Sequence, residues 1–267
     1  MPVRIKDALG EGRLLRVFGV GQLCHPKVVE IVGLQAAWDA VWLDQEHTGL
    51  TIGQIEDATR AARAIGIDVF VRVAPSDYAT VMRPLEAGAS GIMAAMIRSA
   101  RQTAEVVRWA KFFPMGERGV NGTGVDGRYG SYPSGDYFRK ANADTFVGIQ
   151  IETADALNEV EQIAAVPGVD FLFVGPADLS QSLGLPGQWE HPRMWEAIAR
   201  VARACAERKI AWAILPPDGT YARRCVEQGC RMLSIGFDVW ALHKGLRATR
   251  ADYGDLFDEP VVKTAPC

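Results

Sequence analysis

Short apolar runs alternate along the chain with longer segments whose apolar positions recur at helical spacing. The runs fall at residues 15–21, 40–44, 68–73, 91–96, 145–151, 171–175, 210–215 and 232–236. Several are almost wholly apolar, as in Val69-Phe-Val-Arg-Val73 and Phe171-Leu-Phe-Val174. That pattern suits parallel strands covered on both faces better than antiparallel strands with one wet face. Between them, residues 101–111, 154–165, 192–208, 219–228 and 239–248 read as amphipathic helices. A further helix begins at Thr51 and stops at Gly66. A strand–helix alternation of this number predicts an α/β fold, a (β/α)₈ TIM barrel over residues 1–267, with 255–267 as a C-terminal tail. An open doubly wound sheet uses the same units, so the count favours the closed barrel without deciding it.

One segment breaks the rhythm. Residues 114–137 are rich in Gly, with Tyr129, Tyr132 and Pro133, and follow neither period. A connection of this length inside a domain is often functional, and its place after the fourth strand puts it on the catalytic face in this reading. Within it, Gly122-Thr-Gly124-Val-Asp-Gly127 has the letters of a dinucleotide-binding turn. It lacks the strand before and the helix after that such a turn needs, so the match is accidental.

Composition narrows the function classes. With a formal charge of −3 and scattered Lys and Arg, the chain offers no basic footprint for nucleic acid or anionic membrane. No apolar leader and no span of about 18 uncharged apolar residues is visible, so a cytoplasmic protein is expected. The five cysteines (Cys24, Cys205, Cys225, Cys230 and Cys267) lack metal-site spacing and read as reduced thiols. His25, His191 and His243 have no chemical partner nearby in sequence and read as structural or exposed.

In a parallel barrel the working residues sit at the C-terminal ends of strands. Four such ends are unusually polar: Asp44-Gln-Glu46-His47, Arg72, Gln150-Ile-Glu152 and Gly175-Pro-Ala177-Asp178. Strand alternation places Gln150 and Glu152 on one side. Glu152 and Asp178 come from neighbouring strands, and two carboxylates with open positions suit a hard cation such as Mg²⁺ or Mn²⁺. Gly175 lets the backbone approach a ligand, and the amides of Ala177 and Asp178 are candidate donors to a carboxylate. Taken singly, each acid could equally cap a helix. No lysine stands at a strand end for a Schiff base.

These residues lie in segments that resemble the HpcH/HpaI aldolase family, the class II pyruvate aldolases of the phosphoenolpyruvate/pyruvate superfamily. The likeness runs through Trp42-Leu-Asp-Gln-Glu-His47, Val71-Arg-Val73, Leu85-Glu-Ala-Gly-Ala89, Pro114-Met-Gly-Glu-Arg-Gly-Val120, Gln150-Ile-Glu-Thr153, Val169-Asp-Phe-Leu-Phe-Val-Gly-Pro-Ala-Asp-Leu-Ser180 and Ser234-Ile-Gly-Phe-Asp238. The resemblance implies reversible aldol cleavage of a 4-hydroxy-2-oxoacid to pyruvate and an aldehyde. It implies Glu152 and Asp178 as ligands of Mg²⁺ or Mn²⁺, with Co²⁺ a further option. It further implies His47 in proton transfer assisted by Asp44, Glu46 ordering water, Arg72 stabilising the enolate, and Gln150, Gly175 and Ala177 holding the 2-oxoacid. Glu86 stands where the family has an acid, usually Asp, contributed by a neighbouring subunit. The resemblance also implies a homo-oligomer, a hexamer built as a trimer of dimers, with the last helix exchanged between subunits. Met93-Ala-Ala-Met96 departs from the family's fourth strand. An acyl-CoA-ester lyase or an oxaloacetate decarboxylase would use the same metal–enolate chemistry, and a non-catalytic metabolite-binding barrel is the alternative of another class.

Overall fold

Each apolar run becomes a strand within two residues of its expected bounds, and the helical segments pack outside them. The computed structural model describes residues 4–258. In chain order these form α1 (Ile5–Gly10), β1 (Leu15–Val20), α2 (Pro26–Leu34), β2 (Ala40–Asp44), α3 (Ile52–Ile65) and β3 (Asp68–Val73). Then come α4 (Tyr78–Glu86), β4 (Gly91–Ala94), α5 (Ala100–Ala110), α6 (Ser134–Asp144), β5 (Phe146–Ile151), α7 (Ala154–Asn158) and α8 (Val160–Ala164). The chain continues through β6 (Phe171–Val174), α9 (Pro176–Ser182), α10 (Pro192–Arg208), β7 (Ala211–Ile214), α11 (Gly219–Glu227), β8 (Met232–Phe237) and α12 (Asp238–Tyr253). The eight strands close into a parallel barrel in sequential order, β8 pairing back onto β1.

Period-2 alternation divides the strand residues into two cores. Outward positions such as Val41, Leu43, Val69, Val71, Ile149, Ile151, Leu172 and Val174 pack beneath the helices. Inward positions such as Leu15, Val17, Trp42, Phe70, Met93, Phe146, Phe171 and Phe173 fill the barrel, and Ile5, Ala8 and Leu9 of α1 plug its N-terminal end. The aromatic rings need glycines opposite them. A Cβ on Gly91 would lie 2.4 Å from the Phe146 ring, and one on Gly148 2.2 Å from the Phe171 ring. Each fully buried ring contributes roughly 2–3 kcal/mol of transfer free energy.

Side-chain caps fix most helix starts. Thr51 and Gln54 form a reciprocal capping box on α3, which ends at Gly66 with a φ of 77°. Asp77, Ser99, Thr153 and Asp218 cap α4, α5, α7 and α11. His25 and His191 are caps as well: the Nδ1 of each accepts an amide at 3.2 Å, from Lys27 and Arg193.

The fold corrects several expectations. The single helix expected over 154–165 is broken at Glu159, whose carboxylate instead accepts the Ala100 amide at the start of α5. α4 and α6 add to the expected helices: α4 contains Pro84, and α6 begins inside the segment read as irregular. The 114–137 segment runs along α4, where the Gly119 amide donates to the Tyr78 hydroxyl at 2.6 Å, and its Gly-rich part lies at the end of the barrel opposite the catalytic face. It follows α5, which has already returned the chain to the N-terminal end, and Arg118, Val125 and Tyr129 border the same space as Asp68 and Ser90 at the starts of β3 and β4. Four of the five cysteines fall among the described residues and all four are free thiols. Most of the expected tail, including Cys267, lies outside the described residues; its start continues from α12 as a 3₁₀ turn, Gly254–Phe257. Among the described residues no helix is long and apolar enough to cross a membrane.

Candidate active site at the barrel rim

β2 and β3 pair with Asp44 opposite Arg72, both turned inward one step above Trp42 and Phe70. The Arg72 guanidinium donates from Nε and Nη2 to the two Asp44 oxygens, at 3.0 and 2.8 Å. Its Nη1 lies 3.1 Å from Glu46 Oε2, an ion pair without hydrogen-bond alignment. The guanidinium also sits over the Trp42 ring, 4.7 Å from its centroid. A buried, forked, stacked arginine of this kind has almost no rotamer freedom left.

Asp44 organises the turn that follows it. Its Oδ1 accepts from the amides of Glu46 and His47, at 3.1 and 3.3 Å, and the Thr48 hydroxyl donates to its carbonyl. Asp44 therefore meets His47 through the backbone. The nearest carboxylate to the His47 imidazole is Glu46, at 3.7 Å from Nε2, and the ring itself stands in solvent with 63% of its side chain exposed.

β5 supplies the facing pair. Glu152 is 1% exposed. Its Oε1 accepts the Met96 amide at 2.6 Å, and its Oε2 accepts from the Gln150 side-chain amide. Met96 reaches that position with a φ of 55°, uncommon for a residue with a side chain. Burial pushes the Glu152 carboxyl up to about 7; the Met96 N–H opposes the rise, Glu46 and Asp178 add to it, and Arg72 opposes it. Burial also raises Glu46, against Arg72 and His47 and together with Asp44 and Asp178. Asp178 is thus felt by both glutamates from the first turn of α9.

Gly175 makes the close approach possible. A Cβ there would fall 2.6 Å from Gln150 Nε2 and 2.9 Å from Glu152 Oε2. Pro176 opens α9 without a donor, so the amides of Ala177 and Asp178 are first-turn donors with no acceptor inside the helix.

Nine of the ten residues singled out from sequence gather at this rim: Asp44, Glu46, His47, Arg72, Gln150, Glu152, Gly175, Ala177 and Asp178. Glu86 does not. It ends α4 at the opposite end of the barrel, where its carbonyl accepts the Val125 amide at 3.0 Å. Sequence reading missed the Met96 amide, which no side-chain motif announces. It also missed Trp42 as the support of Arg72, although Trp42 lies two residues before Asp44 and so shares its inward face.

The rim holds an excess of acid. Asp44, Glu46, Glu152 and Asp178 surround Arg72 as the one buried cation among the described residues there. Glu46 Oε2 and Gln150 Oε1 are buried without a hydrogen-bond donor. Among the described residues no three His, Cys, Asp or Glu side chains form a ready-made metal cage.

Residues 21–244 match the family described as HpcH/HpaI aldolase/citrate lyase. The chain is 35% identical over 242 residues to a 4-hydroxy-2-oxovalerate aldolase of Novosphingobium aromaticivorans, covering 90% of each. It is 38% identical over 221 residues to a hydroxypyruvate/pyruvate aldolase of Paraburkholderia phytofirmans, covering 80% of this chain and 83% of the other. A solved HpcH/HpaI aldolase/citrate lyase family protein from Burkholderia cenocepacia superposes with a TM-score of 0.86 at 33% identity, covering 94% of this chain and 99% of that one. At the level of fold alone, with 18% identity and a TM-score of 0.53, CitE from Mycobacterium tuberculosis covers 85% of this chain and 86% of its own; it was crystallised with magnesium and acetate.

Proposed function

The chain belongs to the HpcH/HpaI aldolase/citrate lyase family, and on that premise we propose that it is a divalent-metal-dependent pyruvate aldolase. In this reading it cleaves a 4-hydroxy-2-oxoacid to pyruvate and an aldehyde, and runs the reverse condensation. The observation that carries the proposal is the buried acid excess around Arg72, with Glu152 raised to about 7 by its surroundings.

That surplus fits a divalent cation. A cluster of carboxylates facing one guanidinium is electrostatically uncompensated, and hard oxygen donors are what Mg²⁺ or Mn²⁺ takes. Glu152 and Asp178 would hold the ion, with waters or substrate oxygens completing its shell and Gln150 Oε1 left as an acceptor beside it. The ion would supply Lewis acidity toward the 2-oxo group, lowering the barrier to enolate formation.

The chain's own groups do the rest. The first-turn amides of Ala177 and Asp178, reached past Gly175, bind the substrate carboxylate. Arg72 places positive charge where the enolate oxygen develops; because Asp44 and Trp42 already hold it, little reorganisation is needed as charge builds. His47, free to reach a substrate at the open mouth, takes the proton from the C4 hydroxyl in cleavage and returns it in synthesis. Glu46 is placed between Arg72 and His47, where it orients the imidazole and orders water. As C3–C4 breaks, the bonding electrons pass into the enolate, which then takes a proton at C3 from water, and His47 returns its proton to solvent, to give pyruvate.

The assembly belongs to the same reading. α12 leaves Trp240, Leu242 and Leu246 between 51% and 60% exposed, a face suited to packing on a second copy. We read it as the helix exchanged between subunits of a hexamer, with Glu86 facing a neighbour's rim.

The decisive experiment is proton exchange. In D₂O with Mg²⁺ or Mn²⁺, the methyl signal of pyruvate should disappear by NMR in the presence of protein, and EDTA should stop the loss. Exchange that persists unchanged in EDTA sinks the metal role; bound metal without exchange sinks the aldolase in favour of a binding protein.

A further inference from the structure

The segment from 122 to 132, left without a role by the rim chemistry, folds into a self-bonded loop at the far end of the barrel. The Arg128, Tyr129 and Gly130 amides donate to the carbonyls of Val125, Gly124 and Gly122 at 3.2, 3.0 and 2.9 Å. Gly127 has no room for a side chain, since a Cβ would meet the Gly122 carbonyl at 2.1 Å. Arg128 and Tyr129 both take left-handed backbone, with φ of 49° and 55°. Two successive bulky residues in that region are strained, and such strain clusters at ligand clamps.

The loop closes over the starts of β3, β4 and β5 and bounds a cavity of about 490 Å³, in the range that holds a small metabolite. Five cations line it against three carboxylates: Arg4, Arg63, Arg118, Arg128 and Lys140 against Asp68, Asp126 and Asp144. The acids are already engaged. Asp144 pairs with both Arg4 and Lys140, Asp126 pairs with Arg118 Nη2 at 2.6 Å, and Asp68 accepts from the Ile5 amide and the Ser90 hydroxyl. Arg63 and Arg128 make no ion pair among the described residues; Arg128 stacks on Tyr132 at 4.9 Å. Arg118 carries the strongest indication. Its side chain is 1% exposed and stacked 4.8 Å over Phe112, yet its buried Nε has no hydrogen-bond acceptor. A buried guanidinium keeps its full positive charge, and an anion in the adjoining cavity would feel that charge at short range in a poorly solvated setting.

We propose that this cavity is a second ligand site, separate from the rim, for a small polyanion bearing carboxylate or phosphate groups. Arg118 supplies fixed charge at depth, Arg63 and Arg128 supply exposed charge at the mouth, and Tyr129 and Tyr132 flank the bound molecule. The surplus of two positive charges selects dianions and trianions over neutral compounds.

The test uses the full-length chain stripped of metal with EDTA and then dialysed free of the chelator, so that neither a metal-borne anion site at the rim nor EDTA itself competes. Inorganic phosphate and, separately, citrate are titrated by isothermal calorimetry. The expected result is saturable binding of one molecule per chain for at least one of the two, which identifies phosphate or carboxylate chemistry. Combining Arg63→Gln with Arg128→Gln should weaken that binding about tenfold, the effect of removing charge-assisted contacts, while Arg72→Met leaves it unchanged. Arg118→Met should abolish it; should that variant fail to fold, the surface pair still decides. The proposal is overturned if neither anion binds saturably, if the double variant binds as the parent does, or if Arg72→Met removes the binding.

Discussion

At the N-terminal end of the barrel Phe70, Phe146 and Phe171 pack ring on ring with centroids 5.5–6.4 Å apart, sealed by α1. One or two steps further along the same strands, the inward positions are Arg72, Gln150 and Gly175. The first region is matched surface to surface and stabilises the chain. The second crowds acids together, leaves Glu46 Oε2 and Gln150 Oε1 without donors, and holds Met96 in left-handed backbone. A barrel with both ends packed like the first would be more stable and chemically inert; the rim is held in a destabilised state by the floor beneath it.

That contrast can be broken most severely from the floor. Phe146→Ala opens a cavity between three rings and should lower unfolding free energy by about 3–5 kcal/mol in a urea titration, while pyruvate exchange per folded molecule stays near the parent value. A comparable loss of chemistry at full folding would show that floor and rim are not separable. Next in size, Arg72→Met should reduce exchange about 10²–10³-fold, the usual consequence of removing one preorganised charge donor. An exchange rate within threefold of the parent would remove Arg72 from the enolate.

A third prediction concerns a charge buried at the floor. Lys111 is fully buried beside the carbonyls of Asn142 and Thr145, and burial foremost, with Lys6 adding, lowers it from 10.5 to about 8. Below pH 8 both folded and unfolded chains carry this proton, and the folded chain bears the cost of burying it. Between about pH 8 and 10.5 the unfolded chain binds more protons than the folded one, so stability rises with pH there. Relative to Lys111→Met, the parent should gain on the order of 2–3 kcal/mol across that window; a flat difference curve would contradict it. The smallest effect has the opposite sign to the first. In metal-free protein, Glu152→Gln should raise unfolding free energy by about 1–2 kcal/mol, because it removes a desolvated charge from an acid-rich site, and it should abolish exchange when metal is restored. Destabilisation by that change would mean the acid cluster is already compensated.

Much of this organisation was legible beforehand for a local reason. The eight strands, the caps at Thr51 and Gly66, and the inward direction of Asp44, Arg72, Gln150 and Glu152 all follow from periods of two or 3.6 residues. Other segments carry a conflicting signal: α4 contains Pro84, α6 starts inside the Gly-rich segment, and α9 begins at a proline that could equally mark a turn. The Gly-rich segment misleads because its position in sequence, after the fourth strand, says nothing about how far α5 carries the chain back before the loop begins.

By itself the sequence determined where strands and helices form and which residue types would line the C-terminal rim, since alternation and capping act over a few neighbouring residues. Only the tertiary structure decided that the Met96 amide meets Glu152 across 56 residues, that Glu46 rather than Asp44 lies beside the His47 ring, and that Arg118 is buried with an unmet N–H against a cationic cavity. Those features depend on through-space distance and on the exclusion of water, which arise only when the barrel closes and brings residues remote in the chain into one low-dielectric site.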